Sequence, residues 1–314
     1  MGVSPETRRA VLLGTGLGLG LACLEVASSR GWWGGLTALV SLVPIAVAVA
    51  LGGPVVAGLA GVVAMAAVGA LRGGPAMLLM GLKYVLPGAT LGLGLAGGRP
   101  MAVTTLLTAL ASLGGVVVLL WALAPAGVGP LTYLERQIAA HAAELEEWPN
   151  RFSSAGQDAG WAVEAARFVV ATLRLAGPGM VGLGVFAGAV ANYAVARLCL
   201  RRRVAFRPFS EEAVPDHFVW GVIGAGALLV SRDARLESAG LNLLLVLMPL
   251  YAIQGLAVFR HFFQRIAVPR LLQVVSFGLF AMQPLLLVAV SCVGLSDLWI
   301  DFRKIRQAPT AASG

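Results

Sequence analysis

Charge is what this chain of 314 residues has least of: Asp, Glu, Lys and Arg make up 12%, against 58% hydrophobic residues. A soluble domain carries about 25% charged residues. Mean hydropathy is +0.85. A soluble all-α chain needs helices with a polar stripe, whereas most segments here are apolar all round, which excludes that class. Cysteine is scarce: Cys23, Cys199 and Cys292 fall in different apolar segments without paired spacing. Neither a disulfide framework nor a thiolate metal site is expected from that pattern. His141, His217 and His261 lie in or next to separate loops and make no ligand set. GxSxG, HExxH and Walker sequences are also absent. The expectation is a protein that is not an enzyme and holds no cofactor.

What the chain does have is a series of apolar runs, with basic residues at their ends. Net charge is +8, placed where lipid headgroups fit better than nucleic acid. The strongest orientation signal is Arg201, Arg202 and Arg203, within a stretch that also holds Arg197 and Arg207. A basic cluster between two apolar runs anchors topology with that loop in the cytoplasm. An apolar run of about 20 residues crosses a bilayer as a helix. Candidate spans are residues 10–29, 35–51, 55–71, 76–96, 101–123, 175–200, 217–230, 239–259 and 271–294. Trp32 and Trp33 follow the first span at an interface. The start resembles a signal peptide, but the run after Arg9 is long and has no small-x-small closing site, so an uncleaved first helix is expected.

Residues 124–164 are the long polar exception. Leu131, Leu134, Ile138, Leu145 and Trp148 recur at helical spacing, opposite Glu135, Arg136, Glu144, Glu146 and Glu147. An acidic amphipathic helix on the outer surface is expected, with residues 161–174 as an interfacial lead-in to the next span. The fold class is therefore all-α: a polytopic integral membrane protein with about nine transmembrane helices, or eight if one C-terminal run is not a span, and one amphipathic extracytoplasmic helix. It forms one membrane domain over 1–314, with an N-terminal part at 10–123, the amphipathic segment at 124–164 and a C-terminal part at 165–314. On the count of nine, Arg8, Arg9 and the Arg260–Arg270 loop fall inside, and the tail with Arg303, Lys304 and Arg306 falls outside, against the positive-inside rule.

Polar residues inside apolar spans are the candidate ligand-binding positions. Lys83 lies near the middle of its span, and a buried intramembrane charge is a functional candidate by default. Glu25 lies near the outer end of the first span, and Asn192 and Gln254 lie within later ones. Against these stand plainer readings: an interfacial Glu25, interhelical hydrogen bonds for Asn192 and Gln254, and a snorkelling or ion-paired Lys83. Glycines four apart, such as Gly14 and Gly18 or Gly88 and Gly92, suit close helix packing better than a dinucleotide loop, which needs a preceding strand.

The C-terminal third carries a resemblance. Residues Tyr251 to Ala257, the basic loop, and Gly294-Leu295-Ser296-Asp297-Leu298-Trp299-Ile300-Asp301-Phe302-Arg303-Lys304 resemble the YybS-like family of multi-spanning bacterial membrane proteins, a domain-of-unknown-function family. Pro208-Phe209, Pro215 and Trp220 resemble its proline-aromatic entry into the next helix. The resemblance implies a bacterial plasma-membrane protein and brings no activity or site residues. The N-terminal part is similar, at the level of pattern, to the substrate-binding subunits of energy-coupling-factor transporters and to the cell-shape protein MreD, through the Pro/Gly-punctuated run from Val43-Pro44 through Gly53-Pro54 to Gly98. The function expected is a transport-related small-molecule-binding membrane subunit, working with other membrane or cytoplasmic subunits. The rival is a non-transporting membrane scaffold. The bilayer is the partner expected in either case, and nucleic acid in neither.

Overall fold

The computed structural model describes residues 5–28, 37–153 and 160–304. Trp32, Trp33 and Arg306 lie outside the described residues. Among the described residues every regular element is helical. The helices are α1 (Pro5–Ser28), α2 (Val43–Arg72), α3 (Gly74–Met80), a π-helical turn (Gly81–Val85), α4 (Leu86–Ala96), α5 (Met101–Leu123) and α6 (Pro130–Ser153). Then come α7 (Gly160–Leu200), a 3-10 turn (Phe209–Glu211), α8 (Phe218–Val230), α9 (Ala234–Arg265), α10 (Arg270–Met282) and α11 (Pro284–Ile300). Among the described residues six stretches are long and apolar enough to cross a membrane: Glu6–Val26, Val43–Arg72, Gly74–Ala96, Met101–Leu123, Leu175–Leu200 and Ala234–Arg265. A seventh is obtained if α10 and α11, bent by 105° at their junction, count together.

This differs from the sequence reading in three places. The predicted spans at 35–51 and 55–71 are joined as α2, which is not one straight rod. Gly53 interrupts it with φ 70° and ψ −165°, a left-handed backbone that glycine adopts at no steric cost. Pro54 then restarts the helix where a missing N–H costs nothing. The predicted span at 217–230 is α8, whose 13 residues reach only about 20 Å at the helical rise, short of a hydrocarbon core of about 30 Å. The predicted span at 271–294 is the bent pair, broken where Gln283 is extended and Pro284 supplies no N–H.

Close glycine approaches fix helix directions. Gly14 faces Val56 and Leu59, and Gly18 faces Ala60 and Val63, so α1 runs parallel to residues 54–72. Glu25 and Arg72 meet at the shared far end, 3.7 Å apart. Before Gly53 the direction is opposite: Gly88 abuts Leu42 and Ile45, and Gly92 abuts Ala46 and Val49, so residues 43–52 run parallel to α4. After it, Gly61 meets Val85 and Gly69 meets Met77, antiparallel. Gly94 against Thr104 and Gly115 against Leu82 set α5 antiparallel to α4. Further on, Gly179 meets Asn242 and Gly182 meets Val246, so α7 and α9 are parallel. The chain from 201 to 233 must therefore travel back between them, and α8 lies antiparallel to α9 through Gly221 on Leu247 and Gly240 on Leu228.

These directions gather Arg8, Arg9, Arg99, the Arg201–Arg203 cluster and Arg265 at one end of the bundle. Arg303 also lies at that end. Its guanidinium donates to Glu212 O, and Glu212 accepts from Met101 N at the start of α5. The expected tail on the opposite side is thereby corrected: α10 and α11 leave the basic end and return to it. At the far end lies α6, whose Ile138 packs on Gly177 of α7 and whose Ala142 is buried, while Glu135, Arg136, Glu144 and Glu147 are exposed. The amphipathic helix is thus where the spacing put it. The predicted lead-in at 161–174 is simply the first turns of α7, a helix of 41 residues.

A Cβ at Gly294 would overlap Tyr251 O, and one at Gly255 would overlap Val290 O, so α9 and α11 cross backbone to backbone. Gly294→Ala is expected to lower the thermal unfolding midpoint in detergent, at an overpacking cost of roughly 1–3 kcal/mol. Gly188→Ala, with nothing within 4 Å of the new Cβ, leaves it unchanged. Equal midpoints for the two variants would contradict the crossing.

Candidate functional site

Two polar regions lie inside this apolar bundle. The first surrounds a cavity of about 520 Å³ between α3–α4, α5, α7 and residues 38–42. Its walls are mainly Leu, Val, Ala and Gly, with Ser41, Lys83, Tyr84, Ser112 and Asn192 as polar lining. Pro87 shapes the Lys83 wall. It has no N–H for the Lys83 carbonyl, and the helix answers by widening: Leu86 N donates to Gly81 O in a π-helical turn. Such turns inside α-helices mark functional sites more often than ordinary helix does. Lys83 Nζ sits 4.8 Å from the centroid of the Tyr84 ring, within cation–π range. Among the described residues no carboxylate pairs with Lys83. Glu25 is paired with Arg72.

Asn192 lines the same cavity, and its amide is committed. Its Oδ1 accepts from Leu42 N at 2.8 Å, and its Nδ2 donates to Ala38 O and to Gly188 O, each at 2.9 Å. Ser41 donates to Ala38 O and Ser112 to Thr108 O. Asn192 therefore holds the non-helical run before α2 as part of the cavity wall.

The second polar region lies at the basic end and contains Gln254, well away from the cavity lining. Gln254 accepts from Val214 N at 2.9 Å and donates to Asp297 Oδ2 at 3.1 Å. Asp297 also accepts from Phe302 N and from Arg303, whose guanidinium approaches to 2.7 Å. Arg303 donates in addition to Ser210 O and Glu212 O. The side chains of Asp297 and Arg303 are each only 3% exposed. Asp301 makes the fold-back possible with a left-handed φ of 45°, a conformation Asp tolerates better than most residues. Gln254, Asp297 and Arg303 stand within the stretches that carry the family resemblance, so those stretches are a structural lock joining α9, α11 and the 208–214 segment.

The structure thus brings Lys83 and Asn192 together and leaves Glu25 and Gln254 elsewhere. Sequence reasoning missed Asn242 and Ser238. Pro178 interrupts the bonding of α7, and the groups it frees are met from α9: Gly179 N donates to Asn242 Oδ1, and Ser238 Oγ donates to Leu175 O. A proline in one span and an Asn in a parallel one were the available signal. Glu212 was missed as well. Burial pushes its carboxyl above the usual 4.5, opposed by the Met101 N–H it accepts and by Arg197.

Truncating either member of a buried ion pair strands the other, at a cost of about 3–5 kcal/mol. Asp297→Ala and Arg303→Ala are each expected to lower the unfolding midpoint strongly, and Asp297→Leu combined with Arg303→Met to recover part of the loss. Additive losses would contradict the lock. For Glu212 the sign follows from its raised value: the carboxyl contributes stability that is present below 4.5 and lost as pH rises. The stability difference between wild type and Glu212→Gln should move in favour of glutamine as pH increases from that value. A pH-independent difference would contradict it.

No curated protein and no solved structure matches the chain. A family model described as "Predicted membrane protein (DUF2232)" matches residues 34–298, which takes in the cavity, Gln254 and Asp297, and every helix from α2 to α10, and stops short of Arg303. The apolar helices, the basic end and this match agree, and the chain belongs to that family of predicted membrane proteins.

Proposed function

We propose that the protein is a multi-pass bacterial plasma-membrane protein that binds a small molecule in the Lys83 cavity, as a transport-related subunit working with partner subunits. The observation that supports this reading is Lys83 itself. A scaffold would pack the lysine against a neighbour or send it to an interface. Here it is an exposed residue at the edge of open space of about 520 Å³, within the 300–1,000 Å³ or so common for ligand pockets. Gly184 and Gly188 line the same space, with nothing within 4 Å of an added Cβ. Asn192 spends its amide on keeping the wall in place, which is what a pre-formed site requires.

The topology that goes with this reading has eight passes. Helix directions support this count: α1, residues 37–53, residues 54–72, α3–α4, α5, α7, the 201–230 stretch in which the short α8 is completed by the chain before it, and α9. The bent pair α10–α11 is a re-entrant hairpin from the cytoplasmic side. Arg8, Arg9, Arg99, Arg201–Arg203, Arg265, Arg303 and Lys304 then lie in the cytoplasm, and the acidic α6 lies outside, in keeping with the positive-inside rule.

Two experiments test the reading. A reporter that works only in the cytoplasm, fused at Gly314, is expected to be active; an inactive fusion beside an active periplasmic one would overturn the eight-pass topology. Native mass spectrometry of protein extracted from its own membrane is expected to show a bound small molecule. Gly184→Leu, whose Cβ meets nothing within 4 Å and whose branch would extend into the cavity, should remove that mass at unchanged expression and unfolding midpoint. An identical bound mass in both proteins would contradict a ligand in this cavity.

A further inference from the structure

We infer that the ligand of this cavity is a single-chain anionic amphiphile, its carboxylate or phosphate monoester on Lys83 and its chain against the apolar walls. The inference rests on the binding reading above and adds the chemistry of the ligand.

A census of donors leads to it. Of the polar side chains lining the cavity, Asn192 has both amide hydrogens placed, on Ala38 O and Gly188 O. The hydroxyl of Ser41 donates to Ala38 O and that of Ser112 to Thr108 O. The hydrogens of these three are spent within the protein. Lys83 carries three N–H donors and a full charge, and its one ring contact is the face of Tyr84 at 4.8 Å. The lining includes no Asp, Glu or Arg. An ammonium facing an apolar cavity is costly unless an anion meets it. Beside Lys83 and Tyr84 the walls include Leu79, Leu82, Val116, Leu119 and Val185 with glycine and alanine between, and Lys83 is the one charged side chain in the lining that would select a head group. One positive charge at one place and an apolar wall elsewhere is the complement of an anionic head on a hydrocarbon chain. A compact polar anion such as phosphate alone would leave those walls without a partner, and a neutral lipid would leave the ammonium without one.

The test uses the full chain in nonionic detergent and displacement of a fluorescent long-chain fatty acid. Three competitors share one chain and differ in the head: carboxylate, alcohol and quaternary ammonium. A short acid, hexanoate, supplies the charge without the chain. Wild type is expected to take the long-chain carboxylate at least about tenfold more tightly than the alcohol, the scale of one charge-assisted hydrogen bond. Lys83→Met should abolish that preference, Lys83→Arg should keep it, and Gly184→Leu should block all chain-bearing competitors. Unchanged unfolding midpoints show that the variants are folded. If alcohol and carboxylate compete equally and Gly184→Leu still blocks both, the cavity binds but the anion assignment is wrong. If hexanoate competes as well as the long-chain acid, the amphiphile assignment is wrong. If Gly184→Leu changes nothing, the fatty acid binds elsewhere, and the binding reading fails with the inference.

Discussion

In a hydrocarbon surround, every backbone N–H and C=O must find a partner within the protein. A continuous helix meets that demand by itself. This chain breaks its helices repeatedly, and at the breaks a buried side chain from a distant segment takes the freed group. Asn192 receives Leu42 N ahead of α2, Glu212 receives Met101 N at the start of α5, and Gln254 receives Val214 N before α8. Asp297 receives Phe302 N past the end of α11, and Asn242 receives Gly179 N at the Pro178 break in α7. An unpaired buried amide costs about as much as any single interaction in the bundle contributes. These five side chains therefore decide which irregular backbone the fold can contain.

The cavity is a consequence. Its walls include two departures from ordinary helix: the run before α2, held by Asn192, and the π-helical turn that Pro87 imposes at Lys83. Without the first, residues 38–42 would have no reason to stop short of α7. Without the second, Lys83 would sit at a different angle on its helix. The close glycine crossings elsewhere, between α1 and α2 and between α9 and α11, draw helices together, whereas Gly184 and Gly188 at the cavity face no neighbour.

Much of this was legible in the amino-acid sequence. Hydrophobic run length is set by bilayer thickness, so the apolar segments mark the helices, and the period of residues 131–148 marks α6. Lys83 stood out in the sequence by its charge within an apolar run. Asn192 and Gln254 were visible as polar residues in apolar runs. Their roles were not, because a hydrogen bond joining Asn192 to Leu42, or Gln254 to Val214, depends on which helices are neighbours. The partner of Glu25 was not legible for the same reason: parallel packing of α1 on residues 54–72 brings Arg72 to it. The C-terminal break was not legible either: an apolar run of spanning length bends by 105° before Pro284. Hydropathy reports how long a run is, and a 105° bend leaves its composition unchanged.

Hydrogen–deuterium exchange of the protein in lipid nanodiscs, resolved to single amides, tests the central claim directly. Leu42, Met101, Val214 and Phe302 should exchange as slowly as the helix interiors beside them. Deleting each acceptor in turn, as in Asn192→Leu for Leu42, should speed the amide it serves and leave the other three slow. Four amides that exchange in the wild type as fast as exposed Ala126, or that ignore the loss of their acceptors, would contradict it.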